Sequence, residues 1–274
     1  MKTLDVYPLP TLFDPETLQG TCAVAVDVLR ATTTVLFALA AGAERVVPLL
    51  DVEEAIRRRA EYPDGSVVLG GERGGKRIDG FDLGNSPKSF SPEVVAGKTV
   101  LFTTTNGTVA MNAARFAEPI FLACFVNAVA VVDMLSSFQQ ISIVCAGTDG
   151  QPTEEDILLA GCLTERLQRR SGYAYRLNVQ ATTAMELWSR SFSLKQIIGE
   201  ETIPVEALAR ILRTSRGGSN LMELGMGEDI LTASQLDTIN FVPQIQNGAV
   251  VRSRGQVHEE EASESTFDPE IDEP

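Results

Sequence analysis

The first 150 residues alternate between short apolar runs and longer stretches with helical spacing. The runs that are typical of β-strands are CAVAVDVL, RVVPLL, SVVLGGE, TVLFTTT, PIFLACF and QISIVCAG, which begin at residues 22, 45, 66, 99, 119 and 140. All but SVVLGGE, which leads into a glycine-rich segment interpreted as a loop, precede a helical pattern. Strands that alternate with helices form βαβ units whose sheet is covered on both faces. We therefore predict an α/β fold with layered α/β/α architecture and a largely parallel or mixed sheet.

The second half of the chain is less regular. From residue 153 to about 225 the spacing is mostly helical, and β-like stretches return at TINFVPQI (238–245) and GAVVRSR (248–254). These stretches could complete the same sheet or build a second α/β subdomain with a boundary near residue 150, and the sequence leaves both open. We predict one catalytic unit over residues 1–255. Its helical second half could supply the face of a homodimer.

Charge is distributed unevenly along the chain. Residues 256–274 contain eight of the acids, no Lys or Arg and few large apolar side chains, so we predict that this tail is disordered. Without the tail, the net charge of −14 falls to about −6, and no basic block suits nucleic acid. Neither a signal-peptide core nor an apolar run near 18 residues is present. We expect a cytoplasmic protein with four reduced, buried cysteines and neither nucleic acid nor a membrane as partner.

The near absence of histidine excludes several kinds of active site. The one histidine, His258, lies in the acidic tail, so histidine is not expected as a base, nucleophile or metal ligand in the folded unit. No arginine stands six residues beyond any cysteine, which excludes cysteine-based phosphatases. GGERGGKR (70–77) ends in Arg77 where a phosphate-binding loop requires Ser or Thr. Carboxylates, hydroxyls, Lys, Arg and a hard cation remain.

Polar residues follow four of the predicted strands. Because ligands bind beyond the carboxyl ends of parallel strands, we expect these residues to share one sheet edge. Hydroxyls and helix N-termini bind phosphate, arginine adds a bidentate donor, and carboxylates hold Mg²⁺. Asp27 lies within an apolar run, where a carboxylate is costly unless it is paired or bound to metal. Each group also has a structural explanation as a helix cap, turn or helix first turn, but four such groups favour one shared anion site.

Four motifs make the chain recognisable. VDVLRATTT, GERGGKRIDGFDLGNSP, TTTNGT and VCAGTDGQPTEED occur in this order, and together they resemble the 2-phosphosulfolactate phosphatase family. SNLMELGMGEDILTASQLDTINFVP (219–243) is similar to the C-terminal portion of that family, so the resemblance spans about residues 24–243. It implies an α/β fold and a Mg²⁺-dependent phosphatase that releases phosphate from (2R)-phosphosulfolactate on the route to coenzyme M.

The resemblance and the strand-end positions together give a hypothesis for the site. Asp27 and Glu72 are the preferred Mg²⁺ ligands, with Asp156 or Asp149 next, and hydrolysis would use metal-activated water. Asp27 could instead be the nucleophile of a phosphoenzyme. The predicted catalytic residues are Asp27, Arg30, Glu72 and Asp156. The predicted contacts to substrate are Thr32, Thr33, Thr34, Arg73, Lys76, Thr103, Thr104, Thr105, Asn106, Gly107, Gly147 and Thr148.

Two alternatives to this substrate stay open. The chain could be a Mg²⁺-dependent phosphatase of another small phospho-acid or sugar phosphate, or a non-catalytic sensor of small anions. A pure anion receptor gains nothing from carboxylates beside its ligand unless a metal is bound, and this argues against the sensor. The expected partner is therefore a small anionic phospho-acid.

Overall fold

The computed structural model describes residues 1–253, so the predicted disordered tail and His258 lie outside the described residues. The strands are β1 (Lys2–Tyr7), β2 (Cys22–Val26), β3 (Arg45–Pro48), β4 (Val67–Arg73), β5 (Lys76–Arg77), β6 (Thr99–Thr103), β7 (Ile120–Ala123), β8 (Gln140–Cys145), β9 (Tyr175–Leu177), β10 (Pro243–Gln246) and β11 (Ala249–Arg252). The helices are α1 (Ala31–Ala40), α2 (Val52–Arg59), α3 (Pro92–Val95), α4 (Gly107–Ala113), α5 (Ala128–Leu135), α6 (Glu154–Arg170), α7 (Val179–Ser191), α8 (Leu194–Ile197), α9 (Val205–Thr214), α10 (Arg216–Glu223) and α11 (Gly227–Ala233).

The strands form one mixed sheet in the order β5-β4-β6-β3-β11-β10-β7-β2-β8-β1-β9. Five strands, β7, β2, β8, β1 and β9, form one parallel group, and β3, β6 and β4 form another. The β10–β11 hairpin joins the two groups, pairing antiparallel with β7 on one side and β3 on the other. The predicted α/β class and mixed sheet are confirmed. Strands from both sides of residue 150 share the sheet, and the proposed division into domains stays a prediction.

The joining hairpin sets the relative direction of the two groups. Three successive antiparallel pairings separate β7 from β3, so the two parallel groups run in opposite directions. The four polar strand ends therefore do not belong to one parallel sheet, although residues at or after all four line one cleft. The loops after β2 and β4 nevertheless converge, because Arg30 Nη2 donates a hydrogen bond to the Gly75 carbonyl at 3.0 Å.

Helices cover both faces of each group, as the apolar strands require. In the larger group, Val24 packs with α5, α6 and α7, whereas its neighbour Ala23 packs with α4 on the other face. In the smaller group, Val46 faces α1 and Val47 faces α2. The alternation of side chains along each strand thus builds two cores, and the α/β/α layering is confirmed.

The glycine-rich segment interpreted as a loop is a β-hairpin. Glu72 pairs with Arg77 and Arg73 pairs with Lys76 across β4 and β5. The two turn residues, Gly74 and Gly75, have φ of +57° and +78°, which suits the two-residue turns of tight hairpins. This hairpin holds Glu72 at the end of a strand.

The four cysteines are buried and none forms a disulfide, in agreement with the expectation of buried thiols. Within residues 1–253, none of the helices combines the length and the apolarity that crossing a bilayer requires.

Candidate active site

A cleft of about 280 Å³ opens where the loops after both parallel groups meet. Its lining comes from five segments at or after strand ends, from α10 and from Leu224, directly after α10. The lining residues, in chain order, are Asp27, Leu29, Arg30, Glu72, Gly74, Gly75, Asn85, Thr105, Asn106, Thr148, Asp149, Gly217, Asn220, Leu221, Glu223 and Leu224.

Asp27 follows β2 directly and is only 7% exposed. Its Oδ1 accepts a hydrogen bond from the Ala31 amide at 3.0 Å, which fixes the carboxylate at the start of α1. A Cβ at Gly107 would lie 2.6 Å from Asp27 Oδ2 and would also meet the Cβ of Ala31, so α4 approaches this closely only with glycine there. Burial, followed by the charges of Glu72 and Glu155, raises the pKa of Asp27 to about 7.

Glu72 is equally buried and ties two loops together. One carboxylate oxygen accepts from the Thr105 amide at 2.8 Å, and the other accepts from the Gly75 amide at 2.7 Å. These bonds hold the loop after β6 against the β4–β5 hairpin. Both carboxylates of the predicted metal pair therefore line the cleft with orientations fixed by backbone amides.

Arg30 is the only Lys or Arg that lines the cleft within residues 1–253. Its Nη1 forms a buried ion pair with Asp229 Oδ2 at 2.7 Å. Asp229 in turn accepts a hydrogen bond from Ser86 Oγ at 2.5 Å. The positive charge of Arg30 is thus largely matched by Asp229, and among the described residues no Lys or Arg forms an ion pair with Asp27 or Glu72.

Asp156 is buried beside the cleft but does not line it. Its two oxygens accept from the amides of Val28, at 2.9 Å, and Gly147, at 3.0 Å. The carboxylate therefore fastens the loop after β8 to the loop after β2, and burial followed by the charges of Asp27 and Glu155 raises its pKa. In this geometry Asp156 and Gly147 join the two loops, and their predicted catalytic and binding roles stay predictions.

The first threonine run is turned away from the cleft. Because α1 begins at Ala31, the hydroxyls of Thr32 and Thr33 donate to the carbonyls of Asp27 and Val28, both at 2.8 Å. Thr34 Oγ1 donates to the Asn85 carbonyl at 3.0 Å. The predicted phosphate contacts at these three threonines are not formed by this geometry, since each hydroxyl is buried within the protein.

The second threonine run is divided by the geometry of its loop. Thr105 and Asn106 line the cleft, whereas Thr103 and Thr104 are buried beneath it. Thr103 Oγ1 accepts from Arg73 at 3.1 Å, and Thr104 Oγ1 accepts from the Thr108 amide at 3.2 Å. Of this run, only Thr105 and the following Asn106 therefore form a wall of the site.

Two predicted cationic contacts also lie elsewhere. Arg73 donates to Leu50 and Thr103, and Lys76 is exposed on β5; neither lines the cleft. Thr148 and Asp149 do line the cleft, but Asp149 is exposed and pairs with Arg216 at 3.2 Å, so it is separate from the buried carboxylates. The assigned roles of the residues that do meet in the cleft stay predictions.

Several cleft residues were missing from the sequence-based set. Asn85 belongs to GFDLGNSP, and α10 begins 71 positions after the last of the four strand ends, that of β8 at Cys145. Glu155 does not line the cleft but lies against Gly217, which does: it is 1% exposed, its Oε2 has no hydrogen-bond partner among the described residues, and a Cβ at Gly217 would collide with its Oε1. Burial raises the pKa of Glu155. The only sequence signal for these residues was their place within the four motifs and the C-terminal stretch.

Comparison with known proteins identifies relatives over nearly the whole described chain. The family model described as 2-phosphosulpholactate phosphatase matches residues 7–248. A protein of Symbiobacterium thermophilum is 39% identical over 237 residues, which cover 86% of this chain and 96% of that protein. A protein of Caldanaerobacter subterraneus is 35% identical over 252 residues, covering 92% and 98%, and one of Thermotoga petrophila is 38% identical over 229 residues, covering 84% and 91%. All three carry the name "Probable 2-phosphosulfolactate phosphatase".

Proposed function

The chain belongs to the 2-phosphosulpholactate phosphatase family, and we propose that it hydrolyses (2R)-2-phosphosulfolactate to sulfolactate and phosphate with Mg²⁺. Family membership makes it an enzyme, a hydrolase of phosphoric monoesters, and it confirms the resemblance drawn from the motifs. The particular substrate, the metal and a place on the route to coenzyme M are the proposed part.

The observation that supports this proposal is the charge balance of the cleft. Two buried carboxylates, Asp27 and Glu72, line it, and the one lining arginine is already paired with Asp229. A substrate with phosphate, sulfonate and carboxylate groups would be repelled by such a surface. A divalent cation bound to the two carboxylates would remove this repulsion. Asp27 and Glu72 would then disfavour a free anion but favour an anion that coordinates the bound metal.

The donor set fits Mg²⁺ in particular. Mg²⁺ is usually held by one or two carboxylates, with substrate phosphate oxygens and water completing its coordination. Asp27 and Glu72 supply two oxygen donors, and within residues 1–253 no three acidic, histidine or cysteine side chains come close enough to form a complete protein cage. Bound Mg²⁺ would neutralise phosphate charge and lower the pKa of water. Asp27 and Glu72 are therefore the residues that would hold it, and our proposal does not include Asp149 and Asp156 as Mg²⁺ ligands.

The remaining groups orient the reactants. Ala31 fixes Asp27, and the amides of Gly75 and Thr105 fix Glu72, so both carboxylates keep their positions before a ligand arrives. Leu221 of α10 and Leu224, directly after it, add apolar side chains to the lining of the cleft. This preorganisation suits positioning of a phosphate monoester against a water molecule.

The test is phosphate release by the purified protein from (2R)-phosphosulfolactate and from a panel of phospho-acids and sugar phosphates, with Mg²⁺ and with EDTA. Asp27→Asn and Glu72→Gln should each abolish Mg²⁺-dependent turnover, whereas Asp64→Asn, at an exposed carboxylate outside the cleft, serves as the matched control. Preferred turnover of another panel member would replace the substrate. No turnover by folded protein in Mg²⁺ would favour the anion sensor instead.

A further inference from the structure

Asn85 presents a buried amide to the cleft, and its oxygen has no partner within the part of the chain that the structure describes. The side chain is 5% exposed, and Oδ1 has no hydrogen-bond donor within reach. Within residues 1–253, five buried side-chain N or O atoms lack a partner, and Asn85 is the only one of their residues that lines the cleft. Buried polar groups are nearly always satisfied, so an unpaired one in a binding cleft indicates a missing ligand.

The backbone around Asn85 is held firmly. Its carbonyl accepts from Thr34 Oγ1 at 3.0 Å, and the preceding carbonyl, of Gly84, accepts from the Gly71 amide at 3.1 Å. The next residue, Ser86, donates to Asp229 at 2.5 Å. The amide is therefore fixed in position, as a recognition group needs to be.

The same bonds place Asn85 on the wall that contains Arg30. Ser86 and Arg30 bind the two oxygens of one carboxylate, that of Asp229. Within residues 1–253, neither proposed metal ligand, Asp27 or Glu72, is hydrogen-bonded to Asn85 or Ser86, and a phosphate group must lie next to the metal. The organic acid portion of the substrate is left for the wall of Asn85 and Arg30.

Resting on the proposed function, we propose that Asn85 is a specificity-determining residue that binds the sulfolactate portion of the substrate rather than its phosphate. A half-turn of the terminal torsion exchanges Oδ1 and Nδ2, so the amide can direct an N–H donor at a sulfonate or carboxylate oxygen. A neutral donor does this without adding a charge that would compete with the metal for Asp27 and Glu72. Thr34, predicted to contact phosphate, acts here as a positioning residue for Asn85.

The experiment measures binding of the two products separately by calorimetry, in Mg²⁺, with wild type, Asn85→Ala and Asn85→Asp. Asn85→Ala should weaken sulfolactate binding by roughly 10- to 100-fold, the usual effect of one hydrogen bond to a charged group. Inorganic phosphate binding should change by less than about threefold. The isosteric Asn85→Asp places a like charge beside the anion and should weaken sulfolactate binding further. Asn112→Ala, an exposed asparagine on α4 outside the cleft, is the control.

A purely structural role gives a different pattern. Removing an unpaired buried amide should leave the thermal midpoint of the ligand-free protein nearly unchanged, whereas a structural amide would lower it. Unchanged sulfolactate binding in Asn85→Ala, or equal weakening of the binding of both products, would overturn the inference about Asn85. If wild type still hydrolyses phosphosulfolactate, the proposed function stands in that case. Wild type that neither binds sulfolactate nor hydrolyses phosphosulfolactate would overturn both.

Discussion

Replacing Asp27 with asparagine should stabilise the metal-free protein at pH 8, although it should abolish activity. The folded protein raises the pKa of Asp27 from 3.8 to about 7, chiefly by burial. Between these values the folded state keeps a proton that the unfolded state releases, so stability falls as pH rises from about 4 to about 7. Above pH 7 the free energy of unfolding is lowered by the full penalty for burying the charged carboxylate.

The magnitude follows from the pKa difference. At 1.36 kcal/mol per unit, a rise from 3.8 to about 7 corresponds to at most about 4 kcal/mol. We expect about half of this, roughly 2 kcal/mol, because relaxation of the surroundings and entry of water reduce the effective penalty for a buried charge. For a chain of this length, 2 kcal/mol corresponds to roughly 4 to 8 °C in Tm. Asparagine can keep the hydrogen bond from the Ala31 amide through its own oxygen.

The assay is thermal unfolding of wild type, Asp27→Asn and the control Asp64→Asn in EDTA at pH 5 and pH 8. The gain should appear in full for Asp27→Asn at pH 8 and fall to roughly two fifths of that at pH 5, because pH 5 lies only part of the way from 3.8 to about 7. Millimolar Mg²⁺ should then raise the Tm of wild type and control but not of Asp27→Asn. A gain of equal size at both pH values, or none at pH 8, would refute the reasoning.

Three further substitutions test other parts of the cleft. Glu72→Gln should destabilise the metal-free protein by about 1 to 3 kcal/mol in urea unfolding. Two backbone amides donate hydrogen bonds to the two oxygens of Glu72, and the single oxygen of glutamine can replace only one of these acceptors. A stabilising effect like that of Asp27→Asn would contradict this. Asp229→Ala should cost about 3 to 5 kcal/mol in the same assay, since it leaves Arg30 charged and buried, and a loss below 1 kcal/mol would show that Arg30 finds another partner. Gly107→Ala should lower kcat/KM by roughly 100-fold through displacement of Asp27, and an unchanged rate would mean that α4 can move aside.

The elements that could be predicted are those whose burial produces a pattern of apolar residues within the element itself. The β2 and β6 strands are covered on both faces, so each appears as an unbroken apolar run ending in polar residues. The relative direction of the two parallel groups could not be predicted in this way. It depends on the β10–β11 hairpin, whose partners lie more than 100 residues away along the chain.

The site was predicted only in part for a related reason. Asp27 was found because a carboxylate within an apolar run is costly, and Glu72 because it follows a predicted strand; both do line the cleft. Thr32 and Thr33 were assigned to phosphate because of their residue type, but a helix that starts at Ala31 turns their hydroxyls onto backbone carbonyls. Asn85 is uncharged and does not lie in an apolar run, so its sequence context gives no sign of an unfavourable burial. Only its environment in the fold distinguishes it from an ordinary loop asparagine.

The β10–β11 hairpin also fixes an order of assembly during synthesis. Residues 243–252 leave the ribosome after every other strand of the described chain, yet they occupy the middle of the sheet. Until they arrive, β3 and β7 each present an unpaired edge, the kind of surface that recruits foreign strands. A premature stop just before residue 243 would remove the centre of the sheet rather than its margin, so the nascent protein depends on its last strands to protect its first ones.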